Sequence, residues 1–225
     1  MRLIFRYLAA IILLTAFTAT LKAQDDKIML GLRAGHNAVF GGFAAVSLET
    51  VQTIDEDFSI IGGLQYNSIG KTVLEACPAY SFSFPWGNIS AQMLLSYSNM
   101  TSVNNIAAGA GALLTSRWFG CRLGYYYRLY GGKSGYINEP FNIYYELCAN
   151  LLPMIDDWDL QLFITNCELF ELERHYQPTF LAQCNYYPFS NIGFNVGLGC
   201  KPAGMFHLSA DYYQSFMKLG VCYRW

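Results

Sequence analysis

Asn191-Ile-Gly-Phe-Asn-Val-Gly-Leu-Gly-Cys200 alternates without a break: Ile192, Phe194, Val196 and Leu198 share one parity, Gly193, Asn195, Gly197 and Gly199 the other. Successive side chains of a β-strand leave on opposite faces, so this segment has one apolar face and one face of glycine and amide. About ten residues is also what a tilted strand needs to cross a bilayer.

The pattern recurs on both sides of that stretch. In 141–151, Phe141, Ile143, Tyr145, Leu147, Ala149 and Leu151 oppose Asn142, Tyr144, Glu146, Cys148 and Asn150. In 118–130, Phe119, Cys121, Leu123, Tyr125, Tyr127 and Leu129 oppose Gly120, Arg122, Gly124, Tyr126 and Arg128. Candidate strands fall at 28–36, 41–50, 58–67, 72–82, 88–98, 104–115, 118–130, 141–152, 158–168, 179–187, 191–200, 204–213 and 216–225. Single-chain bacterial barrels have an even number of strands. One of these thirteen is therefore surplus, or one strand is missing. The expectation is twelve, the weakly alternating first third holding the false one; fourteen, with a further strand in 158–176, is the alternative.

Composition asks for an apolar surrounding. The chain is 53% hydrophobic, 16% aromatic and 13% charged, where soluble domains carry about 25% charged residues. A spanning helix needs about 18 or more apolar residues in a row. The longest run past the N-terminal segment, Ile106 to Leu114, is interrupted by Gly109 and Gly111. A closed barrel is the other way to satisfy every backbone N–H and C=O in lipid. The sequence therefore predicts an all-β, antiparallel, up-and-down transmembrane β-barrel over residues 24–225.

Charges decide which face looks out. Arg122, Arg128 and Glu146 share the polar face, and a charge facing lipid at mid-bilayer costs about 2–4 kcal/mol. They belong in the lumen, with Asn142, Asn150, Asn195, His207, Ser209, Asp211, Lys218 and Arg224 as further lumen candidates and Asp159 adding to a mixed-sign interior. A water-soluble sandwich or barrel would reverse the faces. Tyr66, Tyr97, Tyr186, Tyr187, Tyr212 and Tyr213, with Trp118, Trp158 and Trp225, stand near strand ends, where aromatic girdles meet the headgroups.

Residues 1–23 read as a secretory signal. Arg2 and Arg6 precede an apolar run from Leu8 to Phe17, and Ala23 offers a cleavage point before Gln24. Loss of Arg2, Arg6 and Lys22, with no acid lost, moves the formal charge from −2 to −5. Such a product lacks the basic patch of a nucleic-acid binder.

The final segment, Phe216-Met-Lys-Leu-Gly-Val-Cys-Tyr-Arg-Trp225, carries Leu219, Val221, Tyr223 and Trp225 on one face. It resembles the C-terminal strand of Gram-negative outer-membrane barrel proteins of the porin-like class. The resemblance implies location in the bacterial outer membrane with both chain ends in the periplasm, contact with outer-membrane lipid and lipopolysaccharide, and recognition of Tyr223 and Trp225 by the barrel-assembly machinery through β-strand addition.

Chemistry-bearing motifs are few. The seven cysteines are scattered singly over the strands with no C-x-x-C, so they read as small strand residues; Cys184 and Cys200 meet only if the strand register brings them together. No motif calls for a metal or cofactor. The acidic stretches Asp55-Glu56-Asp57, Asp156-Asp157 and Glu168 to Glu173 read as solvated turns or strand ends, and Tyr130 to Pro140 and Glu171 to Pro178 as the longest loops. His207-Leu-Ser209-Ala-Asp211 places three polar groups on one strand face. It resembles, with departures, the His-x-Ser-Asn-Gly of outer-membrane lipid hydrolases, in which the imidazole takes the serine proton. The expected function is a non-enzymatic barrel, either a narrow porin-like channel for small polar solutes or a structural subunit of an envelope assembly. A lipid hydrolase using His207 and Ser209 is the alternative.

Overall fold

The computed structural model describes residues 26–38, 41–100, 103–132, 135–151, 157–166, 178–202 and 212–225. The strands are β1 (Lys27–Asn37), β2 (Gly41–Thr53), β3 (Phe58–Asn67), β4 (Lys71–Phe84), β5 (Gly87–Met100), β6 (Val103–Thr115), β7 (Phe119–Gly132), β8 (Gly135–Asn150), β9 (Trp158–Thr165), β10 (Thr179–Phe189), β11 (Ile192–Pro202) and β12 (Tyr212–Arg224). Each pairs with the next, and β1 closes on β12, so the twelve strands form one closed barrel with no free edge. All described pairings are antiparallel.

The outer face is the apolar one. Leu198 is 62% exposed while its neighbour Asn195 is 3% exposed. Leu30, Leu32, Val46, Met93, Leu123, Ile143 and Val221 are likewise exposed, which in water would be a continuous sticky surface and in lipid is the matching solvent. The interior is polar, with Gln65, Gln92, Arg128, Asn142, Asn185 and Lys201 buried. A soluble barrel with its greasy face inside is therefore ruled out by the facing itself.

Two expectations need correction. The first third contains full strands, β1 to β4, so the surplus candidate was not there. The candidate 204–213 falls, but for its last two residues, on residues 203–211, which lie outside the described residues; β11, ending at Pro202, pairs directly with β12, which begins at Tyr212. Tyr130 to Pro140 is not a loop either, because β7 runs to Gly132 and β8 starts at Gly135. The run Gly131-Gly132-Lys133-Ser134-Gly135 suggests a long loop, and Pro140, which donates no ladder hydrogen bond, nevertheless lies within β8. Here Pro140 and Phe141 together face the single Tyr127, between the pairs Tyr126–Asn142 and Arg128–Glu139. That extra residue is a β-bulge, the position in a sheet that accepts proline.

Turns show ordinary local chemistry. Between β3 and β4, Asn67 accepts from Gly70 N–H at 3.0 Å through its carbonyl and from Lys71 N–H at 2.9 Å through Oδ1. Gly70 closes the turn at φ +81°, a conformation that a Cβ penalises. The exposed Asp55-Glu56-Asp57 forms the β2–β3 connection, where Phe58 N–H bonds the Asp55 carbonyl at 3.2 Å.

Seams differ in length. β1 and β12 stay in register from Lys27–Arg224 to Asn37–Gln214. Among the described residues, β8 and β9 pair from Glu146–Thr165 to Asn150–Gln161. Just past that ladder the Asn166 side chain takes the place of a neighbouring backbone: its Oδ1 accepts from Tyr145 N–H at 2.7 Å and its Nδ2 donates to the Ile143 carbonyl at 2.9 Å.

Candidate functional site

The candidate site is the lumen, and its side chains are aimed by strand parity. Residues of β1, β2, β3, β7, β8, β9, β10 and β12 converge on a cavity of about 210 Å³, lined among others by Arg33, Glu49, Gln65, Arg122, Glu146 and Lys218. A second cavity of about 290 Å³ lies toward the end that carries Lys27 and Arg224. Its wall includes Asp159, Gln161, Gln183, Asn185, Asn195 and Tyr187. Met29 and Gln183 border both.

Ionic groups of both signs face the first cavity. Arg122 and Glu146 are register partners on β7 and β8. Lys218 Nζ lies 3.5 Å from Glu49 Oε1, reaching across β1. Arg33, directly opposite Lys218 in the β1–β12 register, is held over the Phe216 ring with its guanidinium carbon 3.6 Å from the centroid. Phe216 in turn lies on Gly199, where a Cβ would overlap the ring. Tyr144 lies in the same way on Gly124. The glycines of the inner face thus hold flat aromatic rings as well as making room for long polar groups.

The second cavity is walled by amides. Asn185 Nδ2 donates to Asp159 Oδ2 at 3.3 Å and to Gln161 Oε1 at 3.4 Å. Its Oδ1 accepts from Asn195 Nδ2 at 2.6 Å and from Gln183 Nε2 at 3.1 Å. Gln161 Nε2 reaches Asn150 Oδ1 at 3.2 Å, and Asn150 Nδ2 donates to the Arg117 carbonyl at 3.0 Å. Arg224 stacks its guanidinium carbon 4.0 Å from the Tyr187 centroid. Toward the other end of the barrel, Arg128 donates through Nε at 2.9 Å and Nη2 at 2.6 Å to Glu139 Oε2. Asn142 Nδ2 donates to the Glu139 carbonyl at 3.3 Å.

Arg122, Glu146, Lys218, Asn195 and Arg224 therefore border the two cavities, Asn150 bonds into the amide wall, and Arg128 and Asn142 sit above them around Glu139. His207, Ser209 and Asp211 lie outside the described residues. Sequence reasoning passed over Lys27, Arg33, Glu49, Gln65, Gln183 and Asn185. The signal was present for Arg33 and Glu49, each at the parity of its strand's inward positions. Apolar inward neighbours, Met29 on β1 and Ala45 on β2, hid it.

Cysteines and girdle residues also find their places. Cys200 faces Phe180 and Cys184 faces Val196 in the β10–β11 register, so the two are not brought together. Every described cysteine is a free thiol, and Cys167 lies outside the described residues. Trp118, Trp158, Trp225 and Tyr66 are exposed on the outside, and Trp158 stacks on Tyr186 at 4.3 Å. Tyr187 is a correction to the girdle, since it faces the lumen under Arg224. The side chains of Tyr212 and Tyr213 lie outside the described residues. No described group of His, Cys, Asp and Glu has the arrangement of a metal site.

No family model matches the sequence, and no curated protein does. Solved structures do match in fold. The KdgM porin in complex with disordered oligogalacturonate aligns over 88% of this chain and 99% of its own at 13% identity, TM-score 0.56. The fold is that of an outer-membrane porin. The NanC porin covers 87% of this chain and 100% of its own at 9% identity, TM-score 0.57. An outer-membrane channel from Pseudomonas putida F1 covers 92% and 97% at 9% identity, TM-score 0.58. With its apolar outer face, this porin-like barrel is built for the bacterial outer membrane.

Proposed function

We propose that the barrel is a non-enzymatic, narrow channel for small polar solutes. The observation that carries this reading is the lumen itself: adjoining cavities of about 210 and 290 Å³ are bordered by Arg33, Arg122, Glu146, Lys218, Asn195 and Arg224. A barrel serving only as a structural post gains nothing from so many inward ionic and amide groups, because filling its interior with apolar side chains costs less. The fold shared with porins and channels supports the same reading. The exposed outward row Leu219, Val221, Tyr223 and Trp225 on the last strand supports recognition by the barrel-assembly machinery, and the apolar belt supports contact with lipid and lipopolysaccharide.

Reconstitution of the full chain into planar bilayers tests the channel. Stepwise conductance that changes on Arg122→Gln is the expected result. A barrel that inserts, resists detergent and never conducts supports the structural-subunit role instead. Phospholipid deacylation by the purified chain, lost in both His207→Ala and Ser209→Ala, would establish the hydrolase.

A further inference from the structure

The open space of the lumen is off-centre. On β4 to β8 inward side chains close against one another: Val73, Ala79, Gln92, Ala107, Tyr126 and Tyr144 are each between 1% and 4% exposed. Ala107, Tyr126 and Tyr144 form one cluster, with Leu94 packed against it. Side chains that face a lumen and still meet almost no solvent leave no passage beside them. The wall that the two cavities have in common is formed instead by β1, β9, β10 and β12.

Met29 on β1 and Gln183 on β10 are the two residues, among those described, that border both cavities. A residue that touches both spaces stands at the junction between them. In the wall, β11 and β12 separate the two strands. At the inward parity of Asn195 and Lys218 they carry Gly193, Gly197, Gly199 and Gly220. Glycine offers no side chain to narrow a passage, so the junction is spanned from its two flanks. Gln183 is the fixed flank, its Nε2 donating to Asn185 Oδ1 at 3.1 Å. Met29, opposite Cys222 and Glu49 in its two registers, is the adaptable one, since its thioether is unbranched and flexible. Charge sets the junction apart as well. Arg33, Glu49 and Lys218 border the 210 Å³ cavity and Lys27, Asp159 and Arg224 the 290 Å³ cavity, but neither residue shared by the two is charged.

We propose that Met29 and Gln183 form the neck of the channel and set the largest solute it passes, by size and not by charge. The neck rests on the channel reading and names its limiting cross-section. Pore width and pore charge are separate determinants of what a channel passes. Here they fall to different residues, so each can be altered without the other.

Planar-bilayer recording of the full chain, with polyethylene glycols of graded size and with reversal potentials across a potassium chloride gradient, tests that separation. Met29→Ala and Gln183→Ala are each expected to raise single-channel conductance by about twofold and to admit a larger glycol, with the reversal potential unmoved. Met29→Leu, of similar volume, keeps the original size limit. Ser47→Ala, which trims a residue bordering the 210 Å³ cavity alone, keeps it too. Heat-dependent gel migration checks that each variant is folded. A size limit that shifts as far in Ser47→Ala overturns the neck, as does one that stays put in a folded, conducting Met29→Ala/Gln183→Ala double variant. A reversal potential that moves with Met29→Ala overturns selection by size. An unaltered chain that is silent beside a conducting double variant keeps the neck, as a passage shut at rest. Silence in every folded variant overturns the channel reading itself, and the neck with it.

Discussion

The β1–β12 seam and the β8–β9 seam close the same cylinder in different ways. The first joins the two ends of the chain and stays in register along all of β1. Across it Arg33 stacks on Phe216, whose ring lies on Gly199 of the next strand, β11. The second joins consecutive strands, and among the described residues its ladder runs from Asn150–Gln161 to Glu146–Thr165, beyond which Asn166 bonds β8 through both its backbone N–H and its side chain. Among the described residues the two seams thus differ in ladder length and in inner-face packing. The cation-rich wall coincides with the long seam, which carries the like-charge pairs Lys27–Arg224 and Arg33–Lys218.

The sharpest way to break this contrast is Asn166→Ala. It removes two hydrogen bonds at the end of the short seam and leaves buried backbone groups of β8 unmet, a loss of about 2–4 kcal/mol. Hydrogen exchange should accelerate across Ile143 to Cys148 and stay slow across Gln214 to Cys222; equal acceleration in both would show that the seams open together. Next in size is Gly199→Val on β11, under the Phe216 ring of the long seam. The new side chain displaces Phe216 and with it the support of Arg33, at about 1–3 kcal/mol. The urea midpoint of the folded barrel reads this loss, and a midpoint that does not move would mean the ring is not packed as described.

Smaller still is the Lys218–Glu49 pair. Its side chains are 20% and 11% exposed, and a double-mutant cycle with Lys218→Gln and Glu49→Gln should return a coupling of about 1 kcal/mol, reduced by salt. A coupling of zero would make the wall's cations independent of the acid beside them. Least perturbing is Val196→Cys. The β10–β11 register sets position 196 opposite Cys184, so oxidation should link these two and leave Cys200 open to thiol labelling. A Cys184–Cys200 link would place the register wrongly.

Much of the architecture was legible because lipid enforces a rule that each strand must obey. The outward faces of β7, β8 and β11 are apolar at every second residue, and that period reads directly from the chain. Where the rule was blurred the reading slipped. The glycine-rich run before Pro140 looks like a long loop until β7 is seen to reach Gly132 and β8 to start at Gly135, and the candidate 204–213 falls mostly outside the described residues. The candidate site was legible by parity alone. Parity put Arg122, Glu146, Asn195 and Lys218 inside but could not say which of them meet.

By itself the sequence determined that the protein is a barrel, which face of its clearest strands meets lipid, and that its charges go inward, because alternation and the cost of a charge in lipid are properties of each segment alone. Only the tertiary structure decided the register, and with it that Lys27 stands opposite Arg224, that Cys184 misses Cys200 and that Asp159 orients Asn185 and Asn195. Cross-strand neighbours are separated by up to the whole length of the chain, and no local pattern encodes which residue of one strand lies beside which residue of another.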